Sequence, residues 1–243
     1  MRIAVFSDVH ANLEALQETL AFLEKEKIEK FFIVGDLIGY GANPNECIDL
    51  IRQLDCEIVA GNHDYGVLGK TDINLFNAMA KQAIQWTTQQ MSKISLDYLA
   101  NLQLVQKKEN WCLVHATLES PASWQYVFDN TDALNQFAYF KEWICFIGHS
   151  HLPTIFELQE QNQSINEIRA TNYRLKDNCR YLVNVGSIGQ PRDGDNRACL
   201  VIWDRGKSEL EYIRLEYNIK SAQEKIIKAG LPEFLALRLS LGK

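Results

Sequence analysis

The chain opens on an apolar run, Ile3 to Phe6, that stops at Ser7 and Asp8. A short apolar run bounded by polar residues reads as a buried strand. After it, Leu13, Leu16, Leu20 and Leu23 recur at three- and four-residue intervals, which predicts an amphipathic helix over "NLEALQETLAFLEKEK". "FFIVGD" predicts the second strand. Asn43-Pro44 then reads as a helix start, with Asn as the cap and Pro at the first helical position. "NECIDLIRQL" continues that helix and "CEIVAGNHD" reads as a third strand. Strands alternating with helices in this way predict parallel βαβ units.

Residues 72–102 read as mostly helical, and "WCLVHA" and "WICFIGHSH" supply two further strands. Beyond Pro153 the pattern changes to short strands, "TIFELQE", "YLVNVGS", "ACLVIWD" and "ELEYIRLEY", with "DGDN" and "DRGK" as hairpin-like turn signals. The stretch 219–243 returns to helical spacing, with Pro232 opening its last segment. No repeat, low-complexity tract or linker interrupts the pattern. The expectation is one α/β domain over 1–243, β-rich in its second half and with a helical extension at about 219–243.

Composition narrows the function. A formal charge of −6 gives no support to a nucleic-acid coat or an anionic membrane surface, so a phosphate-bearing ligand needs a local positive site. The six cysteines are scattered without a CxxC pair, which counts against thiolate zinc and redox disulfides. The apolar N-terminal run meets Asp8 too soon for a signal-peptide core, and no run approaches a membrane span; a cytoplasmic location is expected.

All five histidines lie at or just beyond the end of a strand-like run: His10, His63, His115, His149 and His151. In an extended backbone residues i and i+2 point the same way, so His149 and His151 are placed to face one site. The carboxyl ends of strands in open α/β sheets line a common crevice, which also collects Asp8, Asp36 and Asn62. Imidazole and hard oxygen donors without thiolate suit Mn, Fe, Co, Ni or Zn. The set exceeds what one tetrahedral ion takes.

"SDVHAN", "GDLIGYG", "GNHD", "VHA" and "GHSH", in this order, resemble the motifs of the calcineurin-like metallophosphoesterases. The resemblance runs from Met1 to about Trp203, and "NVGSIGQPRDGD" with "GDLIGYG" is similar to the small bacterial and archaeal phosphodiesterase-type branch. It implies two facing mixed β-sheets flanked by helices. It implies that Asp8, His10, Asp36 and His151 hold one divalent metal, and that Asp36 bridges to a second held by Asn62, His115 and His149. Mn²⁺ is the expected ion, with Fe, Ni, Co and Zn as alternatives. The implied reaction is hydrolysis of a phosphodiester or nucleotide-like phosphate ester by a metal-bridging hydroxide, with His63 as general acid.

Other roles stay open at this stage. Asp64 either orients His63 or serves as a turn carboxylate, and Asn12 either touches substrate or caps the helix after it. Ser187 and Gly189 are candidates to present backbone amides to phosphate, and Arg192 to pair with it bidentately; a structural role for Arg192 competes. Trp124 and Tyr126 either edge the pocket or belong to the core. Gly39 and Tyr40 stand where phosphoprotein phosphatases of the superfamily carry Asp and Arg, which disfavours a protein phosphatase. A phosphomonoesterase, a metal-binding scaffold without turnover and a small-molecule binding protein are the rival readings. The expected partner is a small phosphate ester; oligomeric state is open.

Overall fold

The computed structural model describes all 243 residues. β1 (Arg2–Phe6), β2 (Phe31–Val34) and β3 (Cys56–Val59) run parallel, joined through helices α1 (Leu13–Lys25) and α2 (Pro44–Ile51). This is the βαβ series that the alternating pattern predicts. Leu16 and Leu23 are buried on α1, with Leu13 and Leu20 half-buried against the same core. The third predicted strand stops early. Asn62–Val67 form a short helix, α3, so "GNHD" is a strand-to-helix turn and not strand.

The region after α3 is helical as expected, in α4 (Ala78–Gln90) and α5 (Lys93–Ala100). Then β4 (Val105–Lys108), β5 (Trp111–Val114), α6 (Asn130–Gln136) and β6 (Ile144–Ile147) follow. β4 and α6 carry too few apolar positions for a periodic signal. The second half supplies β7 (Thr154–Gln159), β8 (Ser164–Ile168), β9 (Asn172–Arg174), β10 (Cys179–Asn184), β11 (Ala198–Asp204) and β12 (Glu209–Leu215). Helices α7 (Ile219–Lys228) and α8 (Glu233–Leu241) end the chain, with Pro232 at the cap of α8.

Two mixed six-stranded sheets result, in the orders β3-β2-β1-β11-β12-β9 and β4-β5-β6-β10-β7-β8. The "DRGK" signal marks a true hairpin between antiparallel β11 and β12. "DGDN" does not: it lies between β10 and β11, which belong to different sheets. Strand alternation builds three cores. Ile3 and Val5 of β1 pack between the sheets with Phe146 and Val183, whereas Ala4 and Phe6 face α1 and α2. Leu182 and Phe156 on the outer face of the second sheet meet Phe137, just past α6. The architecture is helix, sheet, sheet, helix.

One consequence positions the site. β1, β2 and β3 in one sheet and β5, β6 and β10 in the other are the parallel strands. His115, just past β5, donates from Nδ1 across the gap to the carbonyl of Val34 at the end of β2, at 2.7 Å. The carboxyl ends of both parallel sets therefore open onto one crevice. No helix is long and apolar enough to cross a membrane.

Candidate metal centre

The predicted extended presentation of His149 and His151 does not hold. Both residues take left-handed backbone angles, with φ of 66° and 60°, and so do Asp8 (54°), His10 (49°) and Asp36 (52°). A left-handed residue with a Cβ costs about 1–2 kcal/mol. Such strain persists only where its surroundings over-determine it, and it gathers at functional sites. Here it curls each loop back over its strand end. Close packing helps: a Cβ on Gly148 would collide with Ser7 Oγ and lie 2.5 Å from Asp8 Oδ2.

The seven predicted ligands converge. Asp8 Oδ1 lies 3.1 Å from His151 Nε2, 3.7 Å from His10 Nε2 and 3.9 Å from His115 Nε2. Asp36 Oδ2 lies 3.3 Å from His115 Nε2 and 3.7 Å from His10 Nε2. Asn62 Oδ1 is 3.2 Å from His115 Nε2. Two triads have ligand atoms mutually within 4.8 Å, Asp8–His10–His151 and Asp36–His115–His149. The two neighbouring histidines of "GHSH" thus fall into different triads. A third triad, His10–Asp36–His63, brings His63 within ligating range as well.

The donor chemistry fits divalent cations. His10 Nδ1 donates to the carbonyl of Ile38 at 3.2 Å, His115 Nδ1 to Val34, and His151 Nδ1 to Gln190. Each bond fixes the ring and turns Nε2 inward, as backbone carbonyls do for metal-bound histidines. His149 is reversed: its Nε2 donates to Trp124 O at 2.8 Å, leaving Nδ1 for the site. His10 Nε2 and His151 Nε2 then face each other at 3.2 Å, and Asp8 Oδ1 is buried without a hydrogen-bond partner. Lone pairs and a carboxylate oxygen turned toward one another make a donor set suited to a divalent cation.

The electrostatics agree. Burial alone raises Asp8 and Asp36, but neighbouring histidines outweigh it and hold both well below the usual carboxylate range. Burial also pushes His149 down to about 3, so it is uncharged at neutral pH. His115 is the exception. Burial lowers it, yet Asp36 and Asp8 lift it to about 9, and its proton must leave before it can ligate.

Two predicted catalytic groups separate in role. Asp64 makes no hydrogen bond to His63. Its Oδ1 accepts from Leu37 N at 3.0 Å and its Oδ2 from Gly61 N at 2.8 Å, so it staples the loops after β2 and β3 together. His63 Nδ1 is buried and unpartnered, and burial pushes the imidazole down to about 4. The ring is held by packing: Tyr40 at 4.4 Å, His10 at 4.8 Å and Phe76 at 5.4 Å between centroids. A Cβ on Gly39, whose φ is +86°, would overlap His63 Nδ1. Gly39 and Tyr40 are thus the residues that fit this histidine into place.

The predicted substrate contacts sit in two settings. Asn12 is a helix cap: its Oδ1 accepts from Ala15 N at 3.2 Å and its Nδ2 donates to Gly189 O at 2.8 Å, so neither end is free. Ser187 Oγ donates to Asp8 O at 2.9 Å and accepts from Gln190 N at 2.8 Å, while the Gly189 amide donates to Asp8 O. These bonds hold the loop that carries Asp8. Arg192 does line the open cleft of about 210 Å³, together with Asp36, Asn62, His63, His149 and His151. Trp124 and Tyr126 form its edge and not the core; Tyr126 stacks on His149 at 4.1 Å and 16°.

The "Calcineurin-like phosphoesterase superfamily domain" matches residues 1–206. The chain belongs to this superfamily. It is 43% identical to an uncharacterized protein of Methanocaldococcus jannaschii over 99% of this chain and 98% of that one. Among solved structures it is similar to a metallophosphoesterase from Sphaerobacter thermophilus, at 35% identity and a TM-score of 0.87, covering 100% of this chain and 99% of that one. A hypothetical protein from Pyrococcus horikoshii shares the fold at 19% identity and a TM-score of 0.82, over 100% and 98% of the two chains. The phosphoesterase match ends before α7 and α8, yet α8 brings Arg238 to 6.0 Å from the Tyr40 ring at the cleft. Sequence reasoning missed Arg238, because one arginine on a helix carries no motif.

Proposed function

We propose that this protein is a dinuclear metal-dependent phosphoesterase acting on a phosphodiester or nucleotide-like ester, with Mn²⁺ as its working ion. Asp8, His10, Asp36 and His151 would hold one ion, and Asp36, Asn62, His115 and His149 the other. The observation that carries the reading is the pair of donor triads whose inward lone pairs leave Asp8 Oδ1 unpaired. When bound, two divalent ions supply Lewis acidity toward phosphoryl oxygens and acidify a water.

The protein's own groups do the remainder. Asn62, neutral where a carboxylate would also ligate, keeps negative charge off the floor of the cleft. Arg192 offers its guanidinium to an anionic group of the bound ester. His63 donates the proton to the leaving oxygen; a phosphate anion beside the ring favours its charged form and counters the effect of burial. Tyr126, stacked on His149, offers an aromatic wall to the organic part of the ester.

The test is hydrolysis of bis(p-nitrophenyl) phosphate and of p-nitrophenyl phosphate by metal-stripped protein, before and after Mn²⁺ is restored. Mn²⁺-dependent turnover with preference for the diester is expected. Preference for the monoester would make it a phosphomonoesterase. Bound metal with no turnover of either ester would favour a scaffold, and failure to bind metal would overturn the reading.

A further inference from the structure

Arg192 and Arg238 stand on opposite sides of the family boundary and meet at one residue. Their guanidinium carbons lie 5.9 Å and 6.0 Å from the centroid of Tyr40. Tyr40 is buried, with its ring 4.6 Å from His10 and 4.4 Å from His63. A single aromatic ring thus lies against both the donor cluster and two cations. The two segments are latched to each other: Gly194 N donates to Gly242 O at 3.0 Å, and Asn196 Nδ2 to Ser240 O at 3.2 Å.

No Asp or Glu side chain pairs with either guanidinium, although the chain is acidic and two aspartates follow Arg192 closely. Asp193 pairs with Arg214, and Asp195 with Arg197. Arg192 donates only to Gln190 Oε1, from Nε and Nη2. Arg238 Nε donates to the main-chain oxygen of Lys243, which leaves both of its terminal nitrogens unengaged. Like charges held close together repel each other, and half-burial weakens the screening. Burial, then the neighbouring Arg192, pulls Arg238 down to about 10, so it remains cationic at neutral pH.

We propose that Arg192 and Arg238 form a second anion subsite beside the metal centre, one that selects phosphate esters carrying a second phosphate. The inference rests on the phosphoester reading, in which the scissile phosphate occupies the donor cluster. Planar guanidinium forks suit phosphate oxygens, and two forks suit a group with more than one negative charge. An edge of the cleft carries stacked aromatic rings. Tyr126 stacks on His149, and Phe128 stacks on Tyr126 at 4.9 Å and 12°. A nucleotide is therefore a suitable probe, since bases stack on such faces.

The experiment is calorimetric binding of AMP, ADP and adenosine 3′,5′-bisphosphate to Mn²⁺-loaded full-length protein, with bis(p-nitrophenyl) phosphate turnover read on the same preparation. At least one of the two doubly phosphorylated ligands is expected to bind tenfold or more tightly than AMP. Arg238→Gln should bring that ratio within threefold of one, and Arg238→Lys should restore part of it. A wild-type protein without the preference, or an Arg238→Gln variant that keeps it in full, overturns the subsite. Preference without turnover supports the subsite while rejecting hydrolysis of the ester. Turnover without preference rejects the subsite alone, and the wild-type comparison decides this even if a variant fails to fold.

Discussion

Gly39 offers the sharpest test of how the loop after β2 places His63. Replacing it by Ala imposes two separable penalties. The first is conformational: φ is +86°, a region where a side chain costs about 1–2 kcal/mol. The second is steric, since the new Cβ would overlap His63 Nδ1 and sit 3.0 Å from its Cγ. Gly69 supplies the control. It too has positive φ, +68°, but a Cβ there meets nothing within 4 Å. Gly69→Ala should therefore show the backbone cost alone, lowering the melting temperature by about 2–8 °C for a chain of this size. It should leave turnover unchanged. Gly39→Ala should lose at least as much stability and, by displacing the His63 ring, about 100-fold in kcat/KM, the typical cost of a misplacement near 1 Å. Metal content by mass spectrometry should match wild type. If Gly39→Ala turns over within threefold of Gly69→Ala, the packing of His63 against this loop does not matter to catalysis.

Other substitutions separate roles within the cluster. His63→Ala should keep its metal and lose about 100- to 10,000-fold in turnover, the range for a general acid; loss of one metal equivalent would instead make it a ligand, as its place beside His10 and Asp36 allows. Asp64→Asn retains one acceptor oxygen for two buried amides, those of Leu37 and Gly61. The unsatisfied N–H should cost about 1–3 kcal/mol in denaturant unfolding, and an unchanged midpoint would remove the staple role. Chelation should lower the melting temperature, because ligand at a hundred times its Kd contributes about 2.7 kcal/mol to the folded state. An identical melt with and without chelator would argue against tight occupancy.

Local pattern determined the donors and their placement after strands. Short apolar runs end where the chain meets Asp8, Asp36, His115 and His149, and burying such runs in parallel strands puts their ends in one crevice. The identity of each donor and the absence of thiolate needed no coordinates. Strand pairing was legible where it was local, as in the β11–β12 hairpin. It was not legible for "DGDN", because moving from one sheet to the other leaves the same turn residues in the sequence.

What only tertiary structure decided concerns groups whose partners lie far along the chain. Asn12 and Ser187 are polar side chains beside the site in sequence, yet Gly189 and the Asp8 carbonyl claim them, since a buried polar group must find a partner. Asp64 was claimed in the same way by Leu37 and Gly61. The left-handed turns at Asp8, His10, Asp36, His149 and His151 have no local signature, for each is unfavourable by itself and is held by packing from the facing sheet. Arg238 is the limiting case. It reaches the ring of Tyr40 only because α7 and α8 fold back on the chain, bringing in a residue beyond the family match.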